Sequence, residues 1–258
     1  MLFLLSNDDG YQAKGINDLV EMLRPLADIF VVAPDSARSG ASLSISSHMP
    51  VRNKLILSED AHDNLGSLTI WACSGTPDDC VKMAFEKLLP STPDLVIAGI
   101  NHGDNCAVNA HYSGTVGVAI EGSMKRIPSI AFSSGYIDVD ADFMGMKPWI
   151  LQIVQHVLAK GLPYGTLLNV NAGPYPNFKG IRVCKMGMGD WKDEWQEMTH
   201  PHGWKYYWIA GYYAPDAPDD EETDTWAYNN GYVSVTPIKL DFTDYEELKM
   251  LRNLENNH

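Results

Sequence analysis

The sequence has no long apolar run, no cysteine framework and little positive charge, and each shortage removes a class of protein. The first apolar segment, Leu2-Phe3-Leu4-Leu5, is four residues long without a basic flank, too short for a secretory signal or a membrane span. Four cysteines (Cys73, Cys80, Cys106, Cys184) in 258 residues make neither CxxC pairs nor a dense disulfide pattern, which fits a reducing cytoplasm. Basic residues number 19 against 33 acidic, a formal charge of −14. Without clustered Lys and Arg there is no electrostatic footprint for a nucleic-acid polymer, and anionic membranes are disfavoured. An anionic substrate would need a local positive charge, and a bound cation is the obvious source. Metalloprotease-like HExxH spacing is absent among the eight histidines. Apolar residues still make up 45% of the chain, so a packed core is expected and disorder is not.

What is there is a strict alternation of strand and helix. Strand 2–6 precedes Ile16, Leu19, Val20 and Leu23, an i, i+3, i+4, i+7 stripe that Pro25 ends. "DIFVVAPD" and "LTIWAC" read as strands. Thr76-Pro77-Asp78-Asp79 then supplies an N-cap, a proline at the first position and acids in the first turn of a helix. "PDLVIAGIN" is a buried strand, 115–124 a short helix, "PSIAFSS" a strand, "KPWILQIVQHVLAKG" a helix closed by Gly161, and "GTLLNVN" a strand. This spacing predicts an α/β fold with a mostly parallel sheet covered by helices on both faces, its function beyond the carboxyl ends of the strands. After about residue 173 the texture changes to an aromatic segment ("WKYYWIAGYY"), an acidic loop ("APDAPDDEETD"), a strand ("GYVSVTPIKLDF") and a helix at 245–254. Domains are accordingly expected at 1–173, an α/β core, and 174–258, a β-rich extension. Its tryptophans (Trp191, Trp195, Trp204, Trp208, Trp226) are too many for a lone hairpin to bury and call for a neighbouring subunit.

Polar clusters follow the predicted strands: "SNDDG", "PDSARSGAS", "SGTPDDC" and "GINHGDN…HYSGT". Asp8 and Asp9 are adjacent, so both reach one point only if the backbone bends at once, which Gly10 permits. Two such charges 4 Å apart at an effective dielectric near 20 repel by roughly 4 kcal/mol. A divalent cation between them reverses that sign; the alternative is that one caps a helix and the other is solvated. Ser39 and Asn101 are candidate co-ligands, and an all-oxygen set suits Mg²⁺, Mn²⁺ or Ca²⁺ better than Zn²⁺. Ser113-Gly114-Thr115 precede a helix, where hydroxyls, backbone N–H groups and the helix dipole make an anion site; Thr115 as a plain N-cap is the competing reading. A phosphate beside a divalent ion suits metal-assisted phosphoryl transfer to water.

In order and spacing, "LLSNDDG", "VVAPDSARSGAS", "GTPDDCV" and "GINHGDN…YSGTV…EG" resemble the SurE (survival protein E) family of 5′/3′-nucleotidases, and "DTWAYNNGYVSVTP" is similar to that family's C-terminal signature. The resemblance spans essentially the whole chain. It implies a metal-dependent 5′-nucleotidase hydrolysing nucleoside 5′- and 3′-monophosphates, with a Rossmann-like core and a C-terminal extension exchanged within a homodimer or homotetramer. It also implies one divalent ion per subunit held by Asp8, Asp9, Ser39 and Asn101, and phosphate contacts from Asn105, Ser113, Gly114 and Thr115. Two departures concern the leaving group: Ala37 stands where many members have Asn, and Ala107-Val108-Asn109-Ala110 where many read "GDDV". No Ser-His or Cys-His pair has catalytic spacing, which favours attack by ion-activated water, with Asp8 or Asp9 as the base. Four other readings compete. A haloacid-dehalogenase-type phosphatase would want Asp-x-Asp with an aspartyl nucleophile, whereas Asp8 and Asp9 are adjacent. A nicotinamide enzyme is weakened because "NDDGYQAKG" is not GxGxxG and sets carboxylates where a pyrophosphate would sit. A catalytically silent nucleotide-binding protein, and a broader phosphatase taking short polyphosphate or other small phosphomonoesters, remain open.

Overall fold

The computed structural model describes residues 1–138 and 140–256. Its elements are β1 (Leu2–Ser6), α1 (Lys14–Leu23), β2 (Asp28–Pro34), β3 (Asn53–Glu59), β4 (Leu68–Cys73), α2 (Pro77–Met83), β5 (Leu95–His102), α3 (Gly114–Met124), β6 (Ser129–Ser134), α4 (Lys147–Lys160) and β7 (Thr166–Ala172). There follow β8 (Ile181–Val183), β9 (Gly189–Lys192), β10 (Trp195–Thr199), β11 (Lys205–Ile209), β12 (Tyr212–Pro215), α5 (Asp224–Asn229), β13 (Val233–Lys239) and α6 (Tyr245–Leu251). Nine strands form one sheet in the order β3-β4-β2-β1-β5-β6-β7-β13-β8. The six from β4 to β7 are parallel, while β3 and β13 run antiparallel to their inner neighbours.

Side-chain alternation in β1 explains why the sheet needs two covers. Phe3 and Leu5 pack with Ile16 and Leu19 of α1 and Ile150 and Val154 of α4. Leu4 faces the other way, onto Cys80 and Val81 of α2 and Val116 and Ala119 of α3. The chain leaves β1 toward β2 and β4 on one side and returns to β5 on the other. The topological switch point therefore lies between the carboxyl ends of β1 and β5, where open α/β sheets bind ligands. Asp8 and Asp9 follow β1, and Asn101 lies at the end of β5.

The sequence boundary near residue 173 falls between β7 and β8; beyond it β9–β12 and β10–β11 form two small antiparallel sheets, while β8 and β13 join the core sheet. β13 pairs with β7 from Val233–Ala172 to Lys239–Thr166, and β8 pairs with β13. What stands apart is the β10–β11 hairpin, together with α6, in which no residue is buried.

One buried group is destabilising. Asp78, in the first turn of α2, is 1% exposed and neither carboxylate oxygen has a hydrogen-bond partner among the described residues. Burial, and then the neighbouring Glu121 carboxylate, push its pKa up to about 7. The fold thus holds this proton more tightly than the unfolded chain does. Asp78's contribution is fully present below about pH 4 and lost as pH rises through 7. Asp78→Asn is expected to raise the Tm, with a gain at pH 8 exceeding that at pH 5 by on the order of 2–3 kcal/mol. Thermal melts showing equal gains at both pH values would disprove this account.

Candidate functional site

The bend after β1 is closed by Asn7, whose Nδ2 donates to the Gly10 carbonyl (3.0 Å) and whose Oδ1 accepts from the Gly10 N–H (3.1 Å). Gly10 has φ +101°, open to glycine and strained for other residues. The bend brings both carboxylates to the sheet's end. Asp8 is 4% exposed and accepts from the Thr115 hydroxyl at 2.5 Å. Asp9 is half-buried and accepts from the His102 backbone N–H at 3.2 Å.

Each remaining residue arrives from a different element. Ser39 comes from the loop after β2, which is anchored where the Arg38 N–H donates to the Asp8 carbonyl (2.6 Å). In β5 the register against β6 slips by one residue between Ala98 and Asn101, a bulge that re-aims the strand end. Asn101 Nδ2 donates to the Gly103 carbonyl (2.8 Å), leaving Oδ1 as a free acceptor. Ser113 is the N-cap of α3, its hydroxyl accepting from the Val116 N–H at 3.1 Å. The helix therefore starts one residue before the 115–124 segment expected from sequence, and Thr115 is not the cap: its hydroxyl goes to Asp8. Gly114 lets this helix end approach, since a Cβ there would lie 2.9 Å from Asp8 Cβ and from Pro77 Cγ.

Asp8, Ser39, Asn101, Asn105 and Ser113 line one cavity of about 540 Å³. Asp9, Gly114 and Thr115 do not line it but are joined to it through His102 and Asp8. All eight residues singled out in the sequence are thus gathered at the switch point.

The electrostatics of the cluster are unbalanced. Burial pushes the Asp8 carboxyl up to about 6, against the pull of the Thr115 hydrogen bond, and the Asp9 charge adds to the rise. Burial also raises Asp9. Among the described residues neither carboxylate has an ion-pair partner. The nearby Arg38 guanidinium is turned to the Ser74 carbonyl (3.1 Å) and to Asp35 (3.6 Å). A buried and a half-buried acid without a counter-charge fit a cation. No group of three His, Cys, Asp or Glu side chains among the described residues is placed to hold one, so an ion here would rest on two carboxylates plus neutral oxygens such as Ser39 Oγ and Asn101 Oδ1.

Sequence reading missed the residues that hold these groups in place. Asn105 is buried in a polar network: its N–H donates to Asn171 Oδ1 (2.7 Å), its Nδ2 to Ser133 Oγ (2.7 Å), and its carbonyl accepts from Asn169 Nδ2 (2.8 Å). The signal was available, because two asparagines two apart in an apolar strand share one face. Asp224, fully buried, accepts from the N–H groups of Ala107 (2.9 Å), Gly187 (2.8 Å) and Thr225 (2.8 Å), tying the extension to the loop at the cavity. Asn109 and Trp191 also line the cavity.

With this geometry in view, comparison with known proteins is specific. The SurE family model, survival protein SurE, matches residues 3–193. The 5′-nucleotidase SurE of Phocaeicola vulgatus is 46% identical over 98% of this chain and 96% of its own. That of Caldanaerobacter subterraneus subsp. tengcongensis is 42% identical over 96% and 95%. The crystal structure of SurE protein from Aquifex aeolicus superposes with a TM-score of 0.80 at 40% identity, covering 99% of this chain and all of that one. The chain belongs to the SurE family.

Proposed function

We propose that the protein is a divalent-metal-dependent phosphomonoesterase that hydrolyses nucleoside 5′- and 3′-monophosphates. The observation that carries this reading is the pairing, at the sheet's switch point, of a buried and a half-buried carboxylate lacking a counter-charge with a helix N-terminus whose cap, Ser113, lines the same cavity. The related proteins named 5′-nucleotidase SurE support the substrate class, and a cavity of about 540 Å³ suits a mononucleotide better than a polymer.

Asp8, Asp9, Ser39 and Asn101 would hold the ion, and Mg²⁺ or Mn²⁺ suits that oxygen set. When bound, a divalent ion neutralises phosphoryl oxygens and acidifies water. The protein's own part is positioning. At the start of α3 the Ser113 hydroxyl would meet the phosphate, with Gly114 and Thr115 just behind it and the helix dipole in aid. Asn105, locked by Asn171 and Ser133, presents the remainder of its amide to the same cavity. Either Asp8, which lines the cavity, or Asp9, joined to it through His102, would take a proton from the attacking water. Hydrolysis of AMP and of p-nitrophenyl phosphate, with EDTA and with added Mn²⁺, tests the reading. Turnover in Mn²⁺ that EDTA abolishes is expected; binding of AMP without turnover in any metal would leave a silent nucleotide-binding protein instead.

The proposal extends to setting and assembly: a cytoplasmic homodimer or homotetramer, with no membrane or nucleic-acid partner. In support, no helix of the described residues is long and apolar enough to cross a membrane, and the four cysteines are free and buried.

Gly114 offers a test of the site's tightness. Gly114→Ala is expected to cost about 1–3 kcal/mol of stability, because a Cβ 2.9 Å from both Asp8 Cβ and Pro77 Cγ forces one of them, or the helix, to shift. It should also lower kcat at least tenfold by moving α3 off Asp8. Melts and Mn²⁺-supported turnover within twofold of wild type would show that the contact is slack.

A further inference from the structure

A second wall of the same cavity is made by the C-terminal extension, and its chemistry differs from that of the first. Trp191 of β9, half-buried, lines it with Ile209 and Ala210. The indole Nε1–H donates to Asn109 Oδ1 at 2.8 Å. Asn109 Nδ2 in turn donates to Asp104 Oδ1 (3.3 Å), which also accepts from the Cys106 N–H (3.1 Å). The carboxylate decides which way the amide faces, and the amide's oxygen then takes the indole proton. Tyr213 packs against the indole, ring centroids 6.3 Å apart. Trp191 is thus held from two sides with its only polar atom already satisfied, and what it offers the cavity is apolar ring surface.

We infer that Trp191, oriented by Asn109 and Asp104, is the contact for the leaving nucleoside, reading the base by stacking. This rests on the phosphomonoesterase reading above. A phosphate at Ser113 leaves the nucleoside to occupy the rest of the cavity; Tyr112 and His102 stand beside the phosphate end, next to Ser113 and Asn101, and the aromatic surface of the extension's wall is Trp191, with Glu194 its one charged neighbour there. Because the indole N–H is spent on Asn109, Trp191 cannot discriminate bases by hydrogen bonding, and every base has a π-face. Trp191 then favours nucleotides over sugar phosphates strongly, and purines over pyrimidines only by ring area; any sharper choice of base falls to polar lining such as Glu194. Asn109 lies in one of the segments where this chain departs from the common family pattern, so the indole's orientation is a property of these residues.

The test compares AMP, CMP and ribose 5-phosphate in Mn²⁺, alongside calorimetric titration of adenosine, which carries no phosphate. Trp191→Ala is expected to lower the AMP-to-ribose-5-phosphate ratio of kcat/KM by about 5- to 150-fold, the range for losing one base–aromatic stack. Adenosine binding should weaken by a similar factor. Trp191→Phe keeps a π-face and should retain most of both; Trp191→Leu keeps apolar volume without one and should behave like alanine, which guards against a variant that merely misfolds. Asn109→Ala, releasing the indole, should give a smaller loss in the same ratio. An unchanged ratio and unchanged adenosine binding in Trp191→Ala and Trp191→Leu would overturn the inference, as would a preference beyond 100-fold between AMP and CMP that Trp191→Ala abolishes. If wild type cleaves neither AMP nor ribose 5-phosphate, the phosphomonoesterase reading fails; adenosine binding that still depends on Trp191 would leave this contact standing without it.

Discussion

Asp8→Asn is expected to lower Mn²⁺-supported hydrolysis at least about a thousandfold, more than the 10–100-fold typical of losing a residue that merely supports a ligand. The same variant should make the metal-free protein more stable. Asp8 is 4% exposed, and burial with the adjacent Asp9 charge lifts its carboxyl to about 6 from an ordinary 3.8. Because the folded value is the raised one, Asp8's contribution to stability is whole below about pH 4 and lost as pH climbs through 6. In EDTA at pH 7.5 the asparagine, which cannot ionise, should gain up to about 3 kcal/mol over wild type, and less at pH 4.5. Metal should invert that order. An ion at a hundred times its Kd stabilises the folded state by about 2.7 kcal/mol, and only a protein with both carboxylates should show the full rise in Tm. Asp9→Asn should lose activity to a similar degree with a smaller stability gain, since Asp9 is only half-buried. Full turnover in excess chelator would end the metal account, and a phosphoenzyme trapped on either aspartate would replace direct attack by water with covalent catalysis.

The central strands and their helices were legible because burial on both faces writes itself into composition: "LFLLS", "DIFVVAP" and "LVIAGIN" admit little else. The bend at Gly10 and the box in which Thr76 and Asp79 cap α2 were legible because each rests on contacts within a few residues. What escaped notice is held by distance. β3 is an edge strand with Leu55 and Ile56 exposed, so it carries no clean alternation. Membership of β13 in the core sheet depends on pairing with a strand some seventy residues earlier, and local pattern is silent on that. Thr115 looks like an N-cap from its neighbours alone; only the approach of Asp8, which Gly114 allows, shows that its hydroxyl is used elsewhere. Likewise nothing near Asn109 in the chain announces Trp191.

Assembly is where sequence and structure together make the second large prediction. Of the five tryptophans after residue 173, two pack against the body of the chain, and a third, Trp204, stacks only on its loop neighbour His200. Trp191 walls the cavity, and Trp226 stacks on Tyr232 with the Arg182 guanidinium 4.8 Å from its ring. Trp195, Trp204 and Trp208 are 63%, 56% and 63% exposed in or beside the β10–β11 hairpin. Trp195 pairs with Ile209 and Trp208 with Gln196, so apolar side chains stand on both faces of a two-stranded ribbon that is marginal alone in water. Lys205 pairs with Glu197 at 2.6 Å, and Tyr207 donates to the same carboxylate, so little unpaired charge opposes burying the hairpin. At roughly 150–250 Å² per ring, the exposed parts of three tryptophans offer about 270–450 Å², against about 800 Å² per partner in a standard interface. The shortfall points to a second contact region, and α6 with its flanks supplies one: Phe242, Met250 and Leu254 are each at least 65% exposed. The protein is therefore expected to be a dimer or larger at micromolar concentration. Trp195→Glu combined with Trp208→Glu should remove the hairpin contact, reducing a tetramer to a dimer or a dimer to monomers, without lowering the Tm of the α/β core. Light scattering that finds wild type as a 28.6 kDa monomer would show that these surfaces stay open to water. An unchanged assembly in the double variant would move the interface wholly to α6 and the strands beside it.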